Sequence, residues 1–206
     1  MNLFNKIDEY KKKFLFAAEA VKLISSGCRI RYAFGDCSAT MLDTALAMRK
    51  EELRDISIYS DSQYSDFQVL AADPSGECFS LIKQISKNSR EALLPVKNSK
   101  LANSKYSIVR RKMPQFIFFT VVSPMDQHGN FRLVPGVSSD KYWEEIQTAD
   151  YVIVEINENI SSADNLTDYI HISQINYVVP GLNASILNTS NIKAHSLNVF
   201  KNSACI

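Results

Sequence analysis

The sequence has no cysteine pair at the spacing of a metal or redox motif. Its four cysteines stand at positions 28, 37, 78 and 205 without a CxxC pair, so neither a zinc ribbon nor a thioredoxin-type site is supported. The three histidines, His128, His171 and His195, also lack the spacing of a metal site. We therefore predict free thiols, no metal centre and no tightly bound cofactor.

An excess of charge of one sign and long apolar runs are absent as well. The chain has 23 Lys and Arg against 22 Asp and Glu, so its net charge gives no reason to expect nucleic-acid binding. No segment approaches the ~18 apolar residues of a membrane span. The N-terminal residues "MNLFNKIDEYKKKF" carry no apolar stretch behind their charges, unlike a secretory signal. We predict a cytoplasmic protein that binds neither nucleic acid nor membrane.

What the chain does have is the composition of a globular protein. Of its 206 residues, 46% are hydrophobic and 22% are charged, and a chain of this length can bury a full core. After Pro180 the sequence becomes rich in asparagine and loses any clear helical period. We predict one domain over residues 1–180, followed by an arm or tail over residues 181–206.

Hydrophobic periodicity in the first third predicts a helix and then a strand–helix–strand unit. The pattern favours a helix over residues 7–25 that ends before Gly27. "RIRYAF" and "ISIYS" are typical of strands, and "SATMLDTALAMRKEEL" between them is typical of a helix with Ser38 as its N-cap. A strand–helix–strand unit requires a right-handed crossover between parallel strands. The predicted fold class is α/β, an open and mostly parallel sheet with helices on both faces.

The rest of the chain continues this alternation. "QFIFFTVVS" and "ADYVIVEIN" have the apolar runs of fully buried strands, and "SSDKYWEEIQTA" between them suits a helix capped by Ser138 or Ser139. "HISQINYVV" is predicted to close the sheet as a last strand. "FQVLAA" and "ECFSLI" are further candidate strands.

The stretch "SPMDQHGNFRLVPGVSSD", residues 123–140, combines a turn signal with a position that favours ligands. Pro124 and Gly129 form turns, and Asp126 can accept hydrogen bonds from amides two residues on, so a plain turn is the more probable interpretation. The stretch nevertheless follows a predicted parallel strand, and ligands bind beyond the carboxyl ends of such strands. His128 would act as a general base only beside a reacting group; a histidine bonded to nearby backbone is more probable.

Three weaker candidates follow from predicted helix starts. Cys37 precedes a helix whose N-terminus would lower the pKa of a thiol, but Asp36 beside it disfavours the thiolate, so a reactive role is improbable. Ser138 and Ser139 are expected to cap the next helix, although the same amides could hold a phosphate. Tyr142 and Trp143 are expected to pack at the junction of that helix with the sheet or a partner domain.

Several segments, in order, resemble one family. "AAEAVKLISSGCRIRYAF", "LRDISIYS", "VVSPMDQHGNFRLVPGVSSDKYWEEIQTADYVIVEINENI" and "DYIHISQINYVV" are similar to the N-terminal domain of the acetyl-CoA hydrolase/transferase family, which includes 4-hydroxybutyrate and butyrate:acetate CoA-transferases. The resemblance covers most of residues 17–180. Its sharpest element is the Ser-Pro-x-Asp-x-x-Gly loop with Gly-Val-Ser-x-Asp after it.

The resemblance implies an acyl-CoA pocket but no nucleophile in this chain. Family members have two α/β halves, and their catalytic glutamate, which forms a glutamyl-CoA thioester, and their glycine-rich oxyanion loop lie in the C-terminal half. Neither motif occurs here, and Glu155 and Glu158 match positions outside the catalytic motif. The implied partners are an acyl-CoA, a carboxylate acceptor and a second CoA-transferase-like subunit or C-terminal domain, with a homo-oligomer as a further possibility. The implied substrate-contacting residues are Gly35, Asp36, Ser38, Asp126, His128, Gly129, Gly136, Val137 and Ser138.

The sequence departs from the family at two places. "FGDCSAT" stands where members often carry a Glu-Pro-like pair, and "ALLPVKNSK" replaces a glycine-containing segment. Two functions therefore stay open. The chain is half of an acyl-CoA transferase or hydrolase, or it is a non-catalytic protein of the same fold that binds a partner or an acyl-CoA.

Overall fold

The computed structural model describes residues 3–33, 39–60, 66–83, 114–134, 139–160 and 169–181. The helices are α1 (Leu3–Lys13), α2 (Ala17–Ala20), α3 (Thr40–Ala47), α4 (Gln68–Ala72) and α5 (Ser139–Thr148), with short 3-10 turns at Val21–Leu23 and Ile172–Gln174. The strands are β1 (Arg29–Tyr32), β2 (Ile56–Ser60), β3 (Phe79–Lys83), β4 (Phe116–Val122), β5 (Asn130–Arg132), β6 (Tyr151–Ile156), β7 (Tyr169–His171) and β8 (Tyr177–Pro180).

Six strands form one parallel sheet in the order β3-β2-β1-β4-β6-β8. The chain starts in the middle at β1, moves outward through β2 and β3, and then returns to place β4 on the other side of β1. From β4 it moves outward in the opposite direction through β6 to β8. The strand order therefore reverses between β1 and β4. The predicted α/β class and parallel sheet are confirmed.

Both faces of the sheet are buried, as their apolar strands require. In β4 the alternate residues Ile117, Phe119 and Val121 face one core, which α2, α3 and α4 cover. Phe118 and Val122 face the opposite core, to which α5 contributes Ile146 and Trp143 and α1 contributes Tyr10. Helices thus lie on both faces, and Trp143 packs at the junction of α5 with the sheet, both as predicted.

The continuous helix predicted over residues 7–25 is wrong, because the chain is extended at Phe14–Phe16. Phe14 forms a parallel bridge with Val178, and the Leu15 amide donates to the Val178 carbonyl at 3.0 Å. A new helix then starts, and the Glu19 carboxylate accepts a hydrogen bond from the Phe16 amide at 3.0 Å. Pairing with β8 and this local cap separate α1 from α2, which periodicity alone does not reveal.

Two other segments differ from their predictions. "FQVLAA" is a short helix, α4, and not a strand, whereas "ECFSLI" does contain strand β3. The segment predicted as one last strand, "HISQINYVV", divides into the end of β7, a 3-10 turn and β8. β7 is not part of the main sheet. It pairs antiparallel with β5, and Phe131 lies opposite Ile170.

Candidate functional site

The reversal of strand order between β1 and β4 marks the candidate site. Open parallel sheets bind ligands beyond the carboxyl ends of their strands at such a switch point, because the connections leave the two strands in opposite directions and open a crevice. Residues 34–38 follow β1 and residues 123–129 follow β4. Tyr32, the last residue of β1, pairs with Phe119 of β4, which continues for three more residues to Val122. The two segments with predicted substrate-contacting residues therefore leave adjacent strands at the same edge of the sheet.

Glu155 is a buried carboxylate near this edge. It lies on β6 between Val121 of β4 and Val179 of β8, and only 4% of its surface is exposed. Its carboxylate accepts hydrogen bonds from the backbone amides of Met41, at 3.0 and 3.1 Å, and of Leu42, at 3.0 Å. A side chain of the sheet thus binds the amides that the first turn of α3 leaves without intrahelical acceptors.

A second buried carboxylate, Asp43, extends this arrangement to α4. Asp43 Oδ1 accepts a hydrogen bond from the Tyr32 hydroxyl at 2.8 Å, and Oδ2 accepts one from the Gln68 amide, at the start of α4, at 2.5 Å. We refer to Tyr32, Asp43 and Glu155 as the carboxylate cluster. It joins β1, β6 and the starts of α3 and α4, the helices that follow the first two strands.

The carboxylate cluster has strongly perturbed acid–base properties. Burial raises the pKa of Glu155 to about 7; the amide hydrogen bonds from α3 act in the opposite direction and the charge of Asp43 raises it further. Burial also raises the pKa of Asp43, against the hydrogen bonds from Tyr32 and the start of α4. The pKa of Tyr32 lies well above its ordinary value because of burial and the neighbouring Asp43. Glu155 therefore titrates near neutral pH, where exposed carboxylates have already lost their protons.

The described cap of α3 comes from the sheet. The residue that precedes the helix is Ala39, whose side chain makes no capping hydrogen bond, and Ser38, the predicted cap, lies outside the described residues. Glu155, more than a hundred positions away in the sequence, takes that part. The prediction set Glu155 aside as non-catalytic and did not see this role. Its signal in the sequence is one carboxylate in the apolar run "YVIVEI", since a buried carboxylate requires partners.

The loop after β4 is a tight turn held by Asp126. Asp126 Oδ1 accepts hydrogen bonds from the amides of His128, at 2.7 Å, and Asn130, at 2.8 Å. The Ser123 amide donates to the Arg132 carbonyl at 3.0 Å, so the chain folds back on the end of β4. The turn interpretation of Asp126 is confirmed. Its carboxylate already has these backbone partners, whereas the His128 side chain is exposed.

Gly129 lets this turn pack closely against α1 and β7. Its φ of 83° is in the left-handed region, and a Cβ there would lie 3.1 Å from His171 Nε2 and from Lys6 Cδ. The Gly129 carbonyl accepts a hydrogen bond from the Ile172 amide at 2.8 Å, and Lys6 Nζ donates to the carbonyl of His128. His171 Nδ1 contacts the Ser173 hydroxyl at 2.8 Å, so it is a hydrogen-bonded strand residue, as predicted.

Several predicted site residues lie outside the described residues. These are Gly35, Asp36, Ser38, Gly136, Val137 and Ser138, together with Cys37, the side chains of Ser139 and Tyr142, and the tail beyond Gly181. Of the nine predicted substrate-contacting residues, the structure therefore places Asp126, His128 and Gly129, which it brings together in one turn.

The described residues contain no group of three or more His, Cys, Asp or Glu side chains that could hold a metal ion. No helix among them is long and apolar enough to cross a bilayer. Cys28 and Cys78 are buried free thiols, and burial raises the pKa of Cys78 further above its ordinary range. A raised pKa disfavours the thiolate, the nucleophilic form of the Cys78 side chain.

Sequence comparison places these features in a family. Residues 1–186 match the model of the acetyl-CoA hydrolase/transferase N-terminal domain. The chain is 29% identical over 188 residues to a butyryl-CoA:acetate CoA-transferase of Anaerostipes caccae, and 29% identical over 190 residues to a probable butyrate:acetyl-CoA coenzyme A-transferase of Syntrophomonas wolfei. Each alignment covers 87% of this chain and 41% of the relative, so the chain spans less than half the length of these relatives.

Structure comparison gives the same fold. RipA from Yersinia pestis superimposes with a TM-score of 0.64 at 22% identity, over 85% of this chain and 44% of RipA. A 4-hydroxybutyrate CoA-transferase from Porphyromonas gingivalis superimposes with a TM-score of 0.60 at 16% identity, over 84% of this chain and 40% of that enzyme. At these identities the superpositions show the fold alone. The match over residues 1–186 shows more: the chain belongs to the acetyl-CoA hydrolase/transferase N-terminal domain family.

Proposed function

We propose that this chain is the N-terminal half, or a subunit, of an acyl-CoA transferase or hydrolase. In this proposal it shapes the acyl-CoA pocket, and a second CoA-transferase-like domain brings the catalytic glutamate. The observation that carries the proposal is the family match over residues 1–186, together with the 41% of two CoA-transferases that the chain covers. Cytoplasmic location, the domain boundary at residue 180 and a homo-oligomer remain predictions.

The sheet topology supports a pocket at the carboxyl edge between β1 and β4. The strand order reverses there, and both segments with predicted substrate-contacting residues leave the sheet at this point. A left-handed glycine, Gly129, lets the second segment turn close to the end of β4. A crevice at a switch point suits a ligand that must also be reached by a second domain.

The buried Glu155 on β6 is not suited to covalent catalysis in this chain. The oxygens of Glu155 bind the amides of α3, and the side chain is 4% exposed. Glu158 is exposed in the turn after β6. A carboxylate nucleophile needs both access to the thioester carbon and donors that stabilise the oxyanion. This supports a nucleophile supplied from outside the described residues.

The substrates we propose are a short acyl-CoA and a carboxylate acceptor. Both relatives are named for transfer of coenzyme A between butyrate and acetate, so acetyl-CoA and butyryl-CoA are the probes of choice. The changed segment "FGDCSAT" after β1 favours a second candidate, a protein of the same fold that binds an acyl-CoA without turnover.

The test is an exchange assay with isotopically labelled acetate and butyryl-CoA. We expect no label in acetyl-CoA with this chain alone, and exchange once a second CoA-transferase-like domain from the same source is added. Binding of butyryl-CoA without exchange in the mixture would support the non-catalytic alternative. Absence of both binding and exchange in the mixture would refute the proposal.

A further inference from the structure

We propose that the two-stranded ribbon of β5 and β7 binds the adenosine 3′-phosphate end of the acyl-CoA on its outer face. The inference rests on the proposed function, because it assigns the nucleotide end of the same substrate to a surface beside the same edge of the sheet. No residue of this face takes part in the chemistry. The face itself, which we call the ribbon face, consists of Asn130, Arg132, Tyr169 and His171.

The ribbon is joined directly to the carboxyl end of β4. The Ser123 amide, just after β4, donates to the Arg132 carbonyl of β5 at 3.0 Å. Val122, the last residue of β4, forms an antiparallel bridge with Leu133. An acyl-CoA is a long molecule, so its acyl group can lie at the switch point while its nucleotide lies on a neighbouring surface. The ribbon is such a surface.

Alternation along the two strands brings the residues of the ribbon face together. Phe131 and Ile170 lie opposite each other and are buried in the core. Because successive side chains of a strand point to opposite sides, the residues that flank these two point outward. They form two cross-strand pairs, Asn130 with His171 and Arg132 with Tyr169.

Tyr169 supplies a stacking surface for the base. Its side chain is 51% exposed, and a nucleic-acid base stacks on an aromatic ring of this kind. The next residue of β7 on the same side is His171, about 7 Å further along the strand. This span is comparable to the separation between a purine ring and a phosphate on its ribose. An adenosine stacked on Tyr169 would therefore bring its 3′-phosphate to His171.

His171 and Lys6 offer hydrogen-bond donors at that point. His171 Nδ1 accepts from the Ser173 amide at 3.2 Å, so the hydrogen of the neutral ring lies on Nε2. Nε2 and Lys6 Cδ each lie 3.1 Å from the position that a Cβ on Gly129 would take. The Lys6 ammonium has three donors and gives one to the His128 carbonyl. Nε2 has no hydrogen-bond partner within the described residues, so it and the remaining ammonium donors can bind a phosphate.

The charges around this point suit an anion. Lys13, two turns further along α1, is paired with Glu9 at 2.8 Å, whereas no carboxylate of the described residues is paired with Lys6. Asp126 also contacts the ribbon face, but its carboxylate is bound by the side-chain amide of Asn130 at 3.3 Å and by two backbone amides. Lys6 is therefore the cation available to a phosphate at Nε2 of the histidine.

The test compares wild type with Y169A, Y169F, K6Q and K12Q in the preparation that binds butyryl-CoA. Y169A removes the ring and Y169F keeps it. K6Q removes the positive charge beside the ribbon face, and K12Q removes one from the exposed side of the same helix. The ligands are butyryl-CoA, butyryl-dephospho-CoA, which lacks only the 3′-phosphate, and adenosine 3′,5′-bisphosphate. Calorimetry gives the dissociation constants, and thermal denaturation shows that each variant is folded.

We expect Y169A to weaken butyryl-CoA binding by about tenfold, the size of a lost stack between a base and an aromatic ring. Y169F and K12Q should stay within about threefold of wild type. Wild type should bind butyryl-dephospho-CoA more weakly than butyryl-CoA. K6Q should weaken the binding of butyryl-CoA and leave that of butyryl-dephospho-CoA unchanged, because the contact it removes is made to the 3′-phosphate.

Equal binding of the two thioesters by wild type would overturn the inference, and so would butyryl-CoA binding in Y169A at the strength of wild type. Weaker butyryl-CoA binding in Y169A with unchanged binding of adenosine 3′,5′-bisphosphate would also overturn it, since the ring would then act through association with the second domain. Binding of the bisphosphate that Y169A removes, without any binding of butyryl-CoA, would retain the nucleotide site and refute the proposed function.

Discussion

At the scale of single residues, Glu155 couples folding to pH. An ordinary glutamate has a pKa of 4.5, and burial raises the pKa of Glu155 to about 7. The folded protein therefore retains a proton that the unfolded chain releases. The stability that this proton contributes is fully present below pH 4.5 and is lost as the pH rises through about 7.

We predict that the free energy of unfolding of wild type falls between about pH 5 and pH 8, relative to E155Q, by about 2.5 kcal/mol. Glutamine cannot ionise, so E155Q lacks this contribution while Asp43 and the other carboxyl groups still titrate in both proteins. Urea denaturation at the two pH values measures the difference. Parallel loss of stability in the two proteins would show that Glu155 does not titrate in this range.

Gly129 and Gly27 form a matched pair for a second prediction. Both have a φ of 83°, but a Cβ at Gly27 meets nothing within 4 Å, whereas a Cβ at Gly129 lies 3.1 Å from His171 Nε2. G27A should cost about 1 kcal/mol from backbone strain alone. G129A should cost about 1–2 kcal/mol more, because the β7 and α1 contacts must shift as well. Chemical denaturation of both variants checks this. An equal loss in free energy of unfolding would mean that the side chains around Gly129 can move aside without destabilising the protein.

The turn after β4 could be predicted residue by residue, while the carboxylate cluster could not. Asp126 and Gly129 act through amides two to four positions away, and such local hydrogen bonds leave a signature in sequence. Glu155 acts on amides of residues 41 and 42. Which helix start a buried carboxylate faces depends on the order of the strands, and no local pattern encodes that order.

At the scale of elements, the starts of α3 and α4 depend on carboxylates from other parts of the chain. Asp43 binds the Gln68 amide of α4 and the Tyr32 hydroxyl of β1, and it is 3% exposed. The Tyr32 hydroxyl is buried and the Gln68 amide is partly buried, so loss of the carboxylate leaves both donors without this acceptor.

We predict that D43A lowers the free energy of unfolding by about 2–3 kcal/mol, because one buried and one partly buried donor lose their acceptor. The control Y32F removes only the hydroxyl and should cost about 1 kcal/mol. Urea denaturation compares the two, with helix content followed by circular dichroism. A cost of D43A no larger than that of Y32F would show that the bond to the α4 amide contributes nothing.

The same dependence explains which elements the sequence predicts well. The long apolar runs of β4 and β6 predict buried strands directly, because such runs are typical of strands that are buried on both faces of a sheet. The five-residue α4 does not, because its apolar residues also suit a strand and its start is fixed by Asp43 from another helix. The break between α1 and α2 likewise follows from pairing with Val178 on the last strand.

At the scale of the whole molecule, the position of the site follows from topology. The parallel sheet was predictable from the alternation of strands and helices, but the order β3-β2-β1-β4-β6-β8 was not, because several right-handed arrangements satisfy the same alternation. That order places the ends of β1 and β4 side by side. The two strands that precede the predicted ligand segments therefore end at one edge of the sheet, although the segments are nearly a hundred positions apart in the sequence.

The central claim is that this domain forms the acyl-CoA pocket while another domain holds the nucleophile. Intact-protein mass spectrometry after incubation with butyryl-CoA tests it most directly, because in the mechanism that the family resemblance implies, a glutamate carboxylate displaces CoA from the acyl group, and the CoA thiolate then forms a glutamyl-CoA thioester as the free acid leaves. The account predicts an unmodified chain, with the CoA adduct appearing on the second domain when that is added. A CoA adduct on Glu155, Glu158 or any other glutamate of this chain alone would contradict it.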